Sequence, residues 1–247
     1  MVGFRQLTLV QAKLYLREPM AAFFTLLFGP ALLLLLGFIF TNAPDPMLGG
    51  RGYLDLAVPA YMAIVIGIVG LTAVPISAAN RREAGVLRRF SATPLRPLTY
   101  YLTDVLVPFL LTLLGILLLV LVGMIVFGVR FEGNLFGLLV GIVMGACAFF
   151  SMGYALVGLI SSARAVILIG NVVLYPLMIF SVAMIPLEIM PDVVRTISRF
   201  LPLTHLVALL RGLWFGQAWG NLLTEMAVLA GVTIVGMVIT ALTFRWE

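Results

Sequence analysis

Between Arg81 and Pro97 the chain reads RREAGVLRRFSATPLRP, where Arg81, Arg82, Arg88, Arg89, Arg96 and the carboxylate Glu83 stand between two long uncharged stretches. Arginine forks and a carboxylate on one short segment are suited to charge-assisted hydrogen bonding, either with lipid headgroups or with a protein surface. A turn of about 100° per residue puts Val86, Leu87 and Phe90 on one side and Arg81, Arg82, Arg88 and Arg89 around the other. This is the pattern of a short amphipathic helix, and Pro94 and Pro97 would stop it. Such a helix either lies flat on anionic lipid or docks its apolar side in a groove of a cytosolic partner. Glu83 favours docking, because anionic headgroups repel a carboxylate, whereas a groove can supply it with hydrogen-bond donors.

Other chemistry is sparse. The chain has no G-x-x-x-x-G-K-[ST] phosphate loop and no H-E-x-x-H, and its longest segments outside the apolar runs, about 25 to 35 residues, leave no room for a soluble catalytic domain. His205 near Arg211 is the only histidine and has no clustered carboxylates beside it to complete a metal site, so a structural role is expected. Cys147 is the only cysteine, which excludes an internal disulfide, a cysteine-based zinc site and a haem attachment motif.

The elements that must position the charged segment follow from composition. Of 247 residues 63% are hydrophobic and only 10% are charged, and a mean hydropathy of +1.19 is outside the range of a soluble domain. Apolar runs long enough to span a bilayer occur at 21–40, 56–79, 105–129, 134–160, 165–187 and 222–243, the last with Glu225 near its start. The runs do not alternate apolar with polar residues, which excludes a transmembrane β-barrel. The expectation is an all-α integral membrane protein of six transmembrane helices forming one domain over 1–247, with a loop at 80–104 carrying the charged segment. The first run exceeds a signal-peptide core of roughly 7 to 15 residues and is read as the first span.

Basic residues set the orientation. With both termini inside, the inner segments hold Arg5, Lys13, Arg17, Arg81, Arg82, Arg88, Arg89, Arg96, Arg164 and Arg245, against Arg51, Arg130, Arg195, Arg199 and Arg211 outside. That ten-to-five division favours N-in and C-in and makes 80–104 cytoplasmic. The net charge of +5 is thereby explained by topology, without a nucleic-acid partner.

Residues 3–17 place Phe4, Leu7, Val10 and Leu14 on one helical side, which fits an interfacial helix; a basic flank that only sets topology is the alternative. Gly137, Gly141 and Gly145 form a small-residue stripe for helix packing. Residues 188–221 read as two short helices dipping into the outer interface, the first opening at Pro191 and Asp192 and the second capped by Gly212, with Trp214, Phe215 and Trp219 as interfacial anchors. Polar groups within the spans are few: Thr112, Ser151, Tyr154, Asn171 and Tyr175, which either bond across helices or line a path. Ion-coupled carriers bury titratable groups in their spans, and these spans are nearly empty of them. A membrane protein with no internal energy source and a docking helix is most economically a subunit driven by an ATPase partner. A secondary carrier or channel, or a membrane-embedded lipid-modifying enzyme, is the rival reading.

Glu83-Ala84-Gly85-Val86-Leu87-Arg88-Arg89 followed by Ala92-Thr93-Pro94-Leu95 resembles the coupling helix of type-2 permeases, the transmembrane subunits of ATP-binding-cassette exporters for drugs, nodulation factors and polysaccharides. Ile185-Pro186 through Pro202-Leu203-Thr204 to Arg211-Gly212 is similar to that family's two short extracellular helices. The resemblance covers essentially the whole chain. It implies that Arg82, Glu83, Gly85, Val86, Leu87, Arg88 and Phe90 meet a groove of a nucleotide-binding subunit, with Ser161 to Arg164 as a smaller second contact. It also implies two ATPase subunits that hold ATP and Mg, a second permease, identical or homologous, a bacterial cell membrane, and a drug-like or lipid-like substrate.

Overall fold

The computed structural model describes residues 2–17, 19–40, 42–44, 46, 50–85, 97–181 and 192–243. Among them the regular structure is helical: α1 (Val2–Arg17), α2 (Phe23–Ile39, led in by the turn Pro19–Ala22), α3 (Tyr53–Glu83), α4 (Pro97–Phe127), α5 (Leu135–Leu159), α6 (Ala163–Phe180), α7 (Asp192–Ser198), α8 (Pro202–Trp214) and α9 (Leu223–Thr243). Five helical runs are long and apolar enough to cross a membrane: Tyr53–Glu83, Thr103–Phe127, Leu135–Leu159, Ala163–Phe180 and Trp219–Thr243. The first expected span is covered by the shorter α2, which Phe40 ends in extended backbone.

Helix α3 is the axis of the bundle. Every residue from Ala57 to Leu71 is buried, as expected of a helix that is apolar on all sides. Helices α2, α4, α5, α6 and α8 pack around it, and α9 lies along α5 and α8. Helix α1 packs on α4, and its Tyr15 hydroxyl bonds the Thr25 hydroxyl at 2.8 Å, so this segment is tied into the bundle.

The α3 axis widens into a π-helical turn over Val69–Ala73. There a Cβ on Gly153 of α5 would overlap the Gly70 carbonyl, and one on Gly170 of α6 would overlap the Leu71 carbonyl. Glycine at both positions lets three backbones meet, the usual device where lipid gives helices no hydrophobic reason to associate.

In the 188–221 region the second short helix, α8, is enclosed by protein: Leu203, Leu206, Leu209 and Leu210 have no exposed surface, and the helix packs on α3, α5 and α9. The glycine stripe of α5 makes this possible, since a Cβ at Gly141 would lie 2.6 Å from Leu213 and one at Gly145 2.5 Å from Leu206. Trp214 is therefore not an interfacial anchor. It is fully buried, its indole donating to the Arg130 carbonyl at 3.0 Å and its ring meeting Phe131 edge-on. Gly212 sits inside α8 rather than capping it; the left-handed residue after the helix is Gly216, at φ 71°. The apolar exposure of the region falls on and just after α7, at Val193 (72%), Ile197 and Phe200 (82%), and at Trp219 (40%).

Candidate functional site

At about 1.5 Å per residue, the 31 residues of α3 measure roughly 46 Å, longer than a hydrocarbon core of about 30 Å. Arg81, Arg82 and Glu83 sit on its last turn rather than on a separate helix. The chain turns away at Ala84 and Gly85, where φ of 64° suits glycine. Val86, Leu87, Arg88 and Phe90, expected at a partner's groove, lie outside the described residues.

Three consecutive side chains of α3 reach three different helices. Arg81 forms an ion pair with Asp104 of α4, and the other oxygen of that carboxylate accepts from the Tyr154 hydroxyl of α5 at 2.7 Å. Only 4% of the Asp104 side chain is exposed, against 28% for Arg81. A carboxylate buried this far needs a cation and a hydroxyl donor to offset its lost hydration, and it has both.

Arg82 caps the end of α5. Its Nη1 donates to the Val157 carbonyl at 2.5 Å and its Nη2 to the carbonyls of Ile160 and Ser161 at 2.6 and 2.8 Å. Glu83 Oε1 accepts from the Ala163 backbone N–H at 2.6 Å, at the start of α6. The signs match the helix dipoles: a cation stands at the carbonyl end of α5 and a carboxylate at the amide end of α6. Ser162 adds the N-cap of α6, accepting from the Ala165 N–H at 3.1 Å. The 160–163 turn is thus stapled to the last turn of α3, with Arg164 exposed beside it.

At the opposite end of the bundle Asp55 accepts from the Gly52 and Arg130 N–H groups at 3.1 and 3.2 Å and from Asn42 Nδ2 at 3.4 Å. This network joins the starts and ends of α2, α3 and α4. The Arg51–Glu132 pair nearby is 3.4 Å apart with both side chains largely exposed, so it contributes under about 1 kcal/mol.

The polar groups expected along a path are dispersed. Thr112 and Ser151 are buried and donate to carbonyls of their own helices, Pro108 at 2.7 Å and Ala148 at 2.8 Å. Tyr154 belongs to the Asp104 cluster, Asn171 is half-buried, and Tyr175 is 58% exposed on α6. Among the described residues no three of His, Cys, Asp and Glu come together as metal ligands.

Sequence reasoning missed Asp104, which was counted with the loop because the uncharged run starts at residue 105. Its signal was available: an acid and an arginine flank the two ends of one segment, next to apolar runs. The partner of Glu83 is a backbone amide and leaves no trace in composition.

The model of the ABC-2 type transporter family matches residues 3–215. The chain is 30% identical over 181 residues to the inner membrane transport permease YhhJ of Escherichia coli (strain K12), and equally to the permease of the same name from Shigella flexneri. That similarity covers 68% of this chain and 47% of each relative, so it spans about half the length of those proteins. A bundle of apolar helices whose charged segment is rooted in four of them at once, matched to one family over nearly its whole length, belongs to the ABC-2 type transporter membrane family.

Proposed function

We propose that this chain is the membrane subunit of an ATP-driven exporter, moving a hydrophobic or amphipathic cargo, drug-like or lipid-like, out of the cytoplasm or inner leaflet. Two nucleotide-binding subunits supply the energy and hold ATP and Mg, and a second permease, identical or homologous, completes the path. The chain crosses a bacterial inner membrane six times with both termini in the cytoplasm. Support for six spans comes from α2, which together with its lead-in turn reaches about 30 Å. Support for the orientation comes from the arginines gathered around 81–96. Asn171 and Tyr175, four residues apart on α6, are the polar groups proposed to meet cargo.

The observation that carries this reading is the rooting of the charged segment. Residues 84–96 leave α3 directly after three side chains bound to α4, α5 and the 160–163 turn, so a partner gripping Gly85 to Phe90 and Arg164 would hold four helices. A partner can drive transport only if it grips that segment differently in its own two states; equal affinity for both would move nothing. The test is isolation of the tagged chain from native membranes in mild detergent. A nucleotide-binding subunit and vanadate-sensitive ATP hydrolysis are expected to accompany it, and a chain that comes out alone and inert contradicts the proposal.

A further inference from the structure

We propose that Arg81, Asp104 and Tyr154 are positioning residues that convert displacement of the 84–96 segment into concerted movement of α3, α4 and α5. The inference rests on the transport reading above and adds the place where force enters the spans.

The ion pair joins the helix that precedes residues 84–96 to the helix that follows them: Arg81 lies at the end of α3 and Asp104 within α4. A pull on the segment therefore loads both helices together. Without the pair, α3 and α4 could splay and absorb the displacement locally. The Tyr154 hydroxyl extends the load to α5, where Arg82 and Glu83 already hold the 160–163 turn.

Stability alone gives little reason for charge at this spot. Asp104 and Tyr154 are 5% and 7% exposed, and a buried ion pair is often matched or exceeded in stability by apolar side chains of similar volume. Charge and hydroxyl do supply something apolar packing does not: a directional contact that is either made or broken. Packed elements with two discrete arrangements transmit small shifts, where a continuously deformable contact would not.

The experiment uses the complete complex in proteoliposomes. Tyr154→Phe and the double variant Arg81→Met/Asp104→Leu are compared with the wild type for assembly, thermal stability and transport per ATP hydrolysed. With every rate normalised to assembled complex, transport per ATP is expected to fall by at least about fivefold, the lower end of coupling between protein sites. Tyr154→Phe keeps the ion pair and loses one buried hydrogen bond, so its thermal stability falls modestly; because every rate is normalised to assembled complex, this variant decides the matter even if the double variant fails to assemble. Wild-type transport per ATP in assembled Tyr154→Phe complex overturns the inference and leaves the transport reading standing. A wild-type chain with no associated ATPase overturns both.

Discussion

Gly153→Leu is expected to prevent correct packing of the bundle. A Cβ at this position would overlap the Gly70 carbonyl and approach Pro75 Cδ at 3.1 Å, and the overlapped group is backbone in the π-helical turn of α3, which cannot rotate aside. Overpacking against side chains costs about 1–3 kcal/mol, and a clash with central backbone takes the upper end or more. The control is Gly231→Leu on α9, where a Cβ would meet nothing within 4 Å. In mild detergent the Gly153 variant should lose its monodisperse elution peak and thermal transition while the Gly231 variant keeps both. Equal behaviour of the two would show that α3 and α5 do not cross where the glycines meet.

Asp104→Ala should be the most destabilising single change at the charged end of the bundle. It strips Arg81 of its carboxylate partner and the Tyr154 hydroxyl of its acceptor. Breaking a buried pair costs about 3–5 kcal/mol, and because Arg81 keeps some contact with water the lower end, about 3 kcal/mol, is expected here. Adding Arg81→Met and replacing Asp104 by Leu removes both charges and fills the space, so the double variant should recover most of the loss. Thermal unfolding of the three proteins in one detergent checks this. A double variant less stable than Asp104→Ala would contradict this account of the pair.

The helical fold was legible because spanning a bilayer forces apolar runs of a minimum length, and those runs survive in the sequence whatever their packing. Which runs lie at the centre was not legible. The run 56–79 that forms α3 looks no more apolar than 105–129, yet α3 is enclosed because five other helices use it as a common surface. Trp214 and Gly212 have the local signature of an interface anchor and a helix cap, and only the groove opened by Gly137, Gly141 and Gly145 draws α8 inward and reverses both roles. Gly153 was hidden for a different reason: it keeps the four-residue register, but Phe149 interrupts the run of small residues before it. The charged segment was visible as a concentration of arginine. Its division was not: Arg81, Arg82 and Glu83 bind within the chain and root the segment, because an unbroken helix carries them to the ends of α5 and α6 before Gly85 turns the backbone.

ATP-dependent cargo movement in proteoliposomes tests the central claim most directly. The chain reconstituted with its co-isolated nucleotide-binding subunit should move a hydrophobic fluorescent dye or a labelled lipid across the bilayer only when ATP is present, and the chain alone should move neither. Movement by the chain alone, unaffected by ATP or vanadate, would contradict the account and make this a carrier or channel.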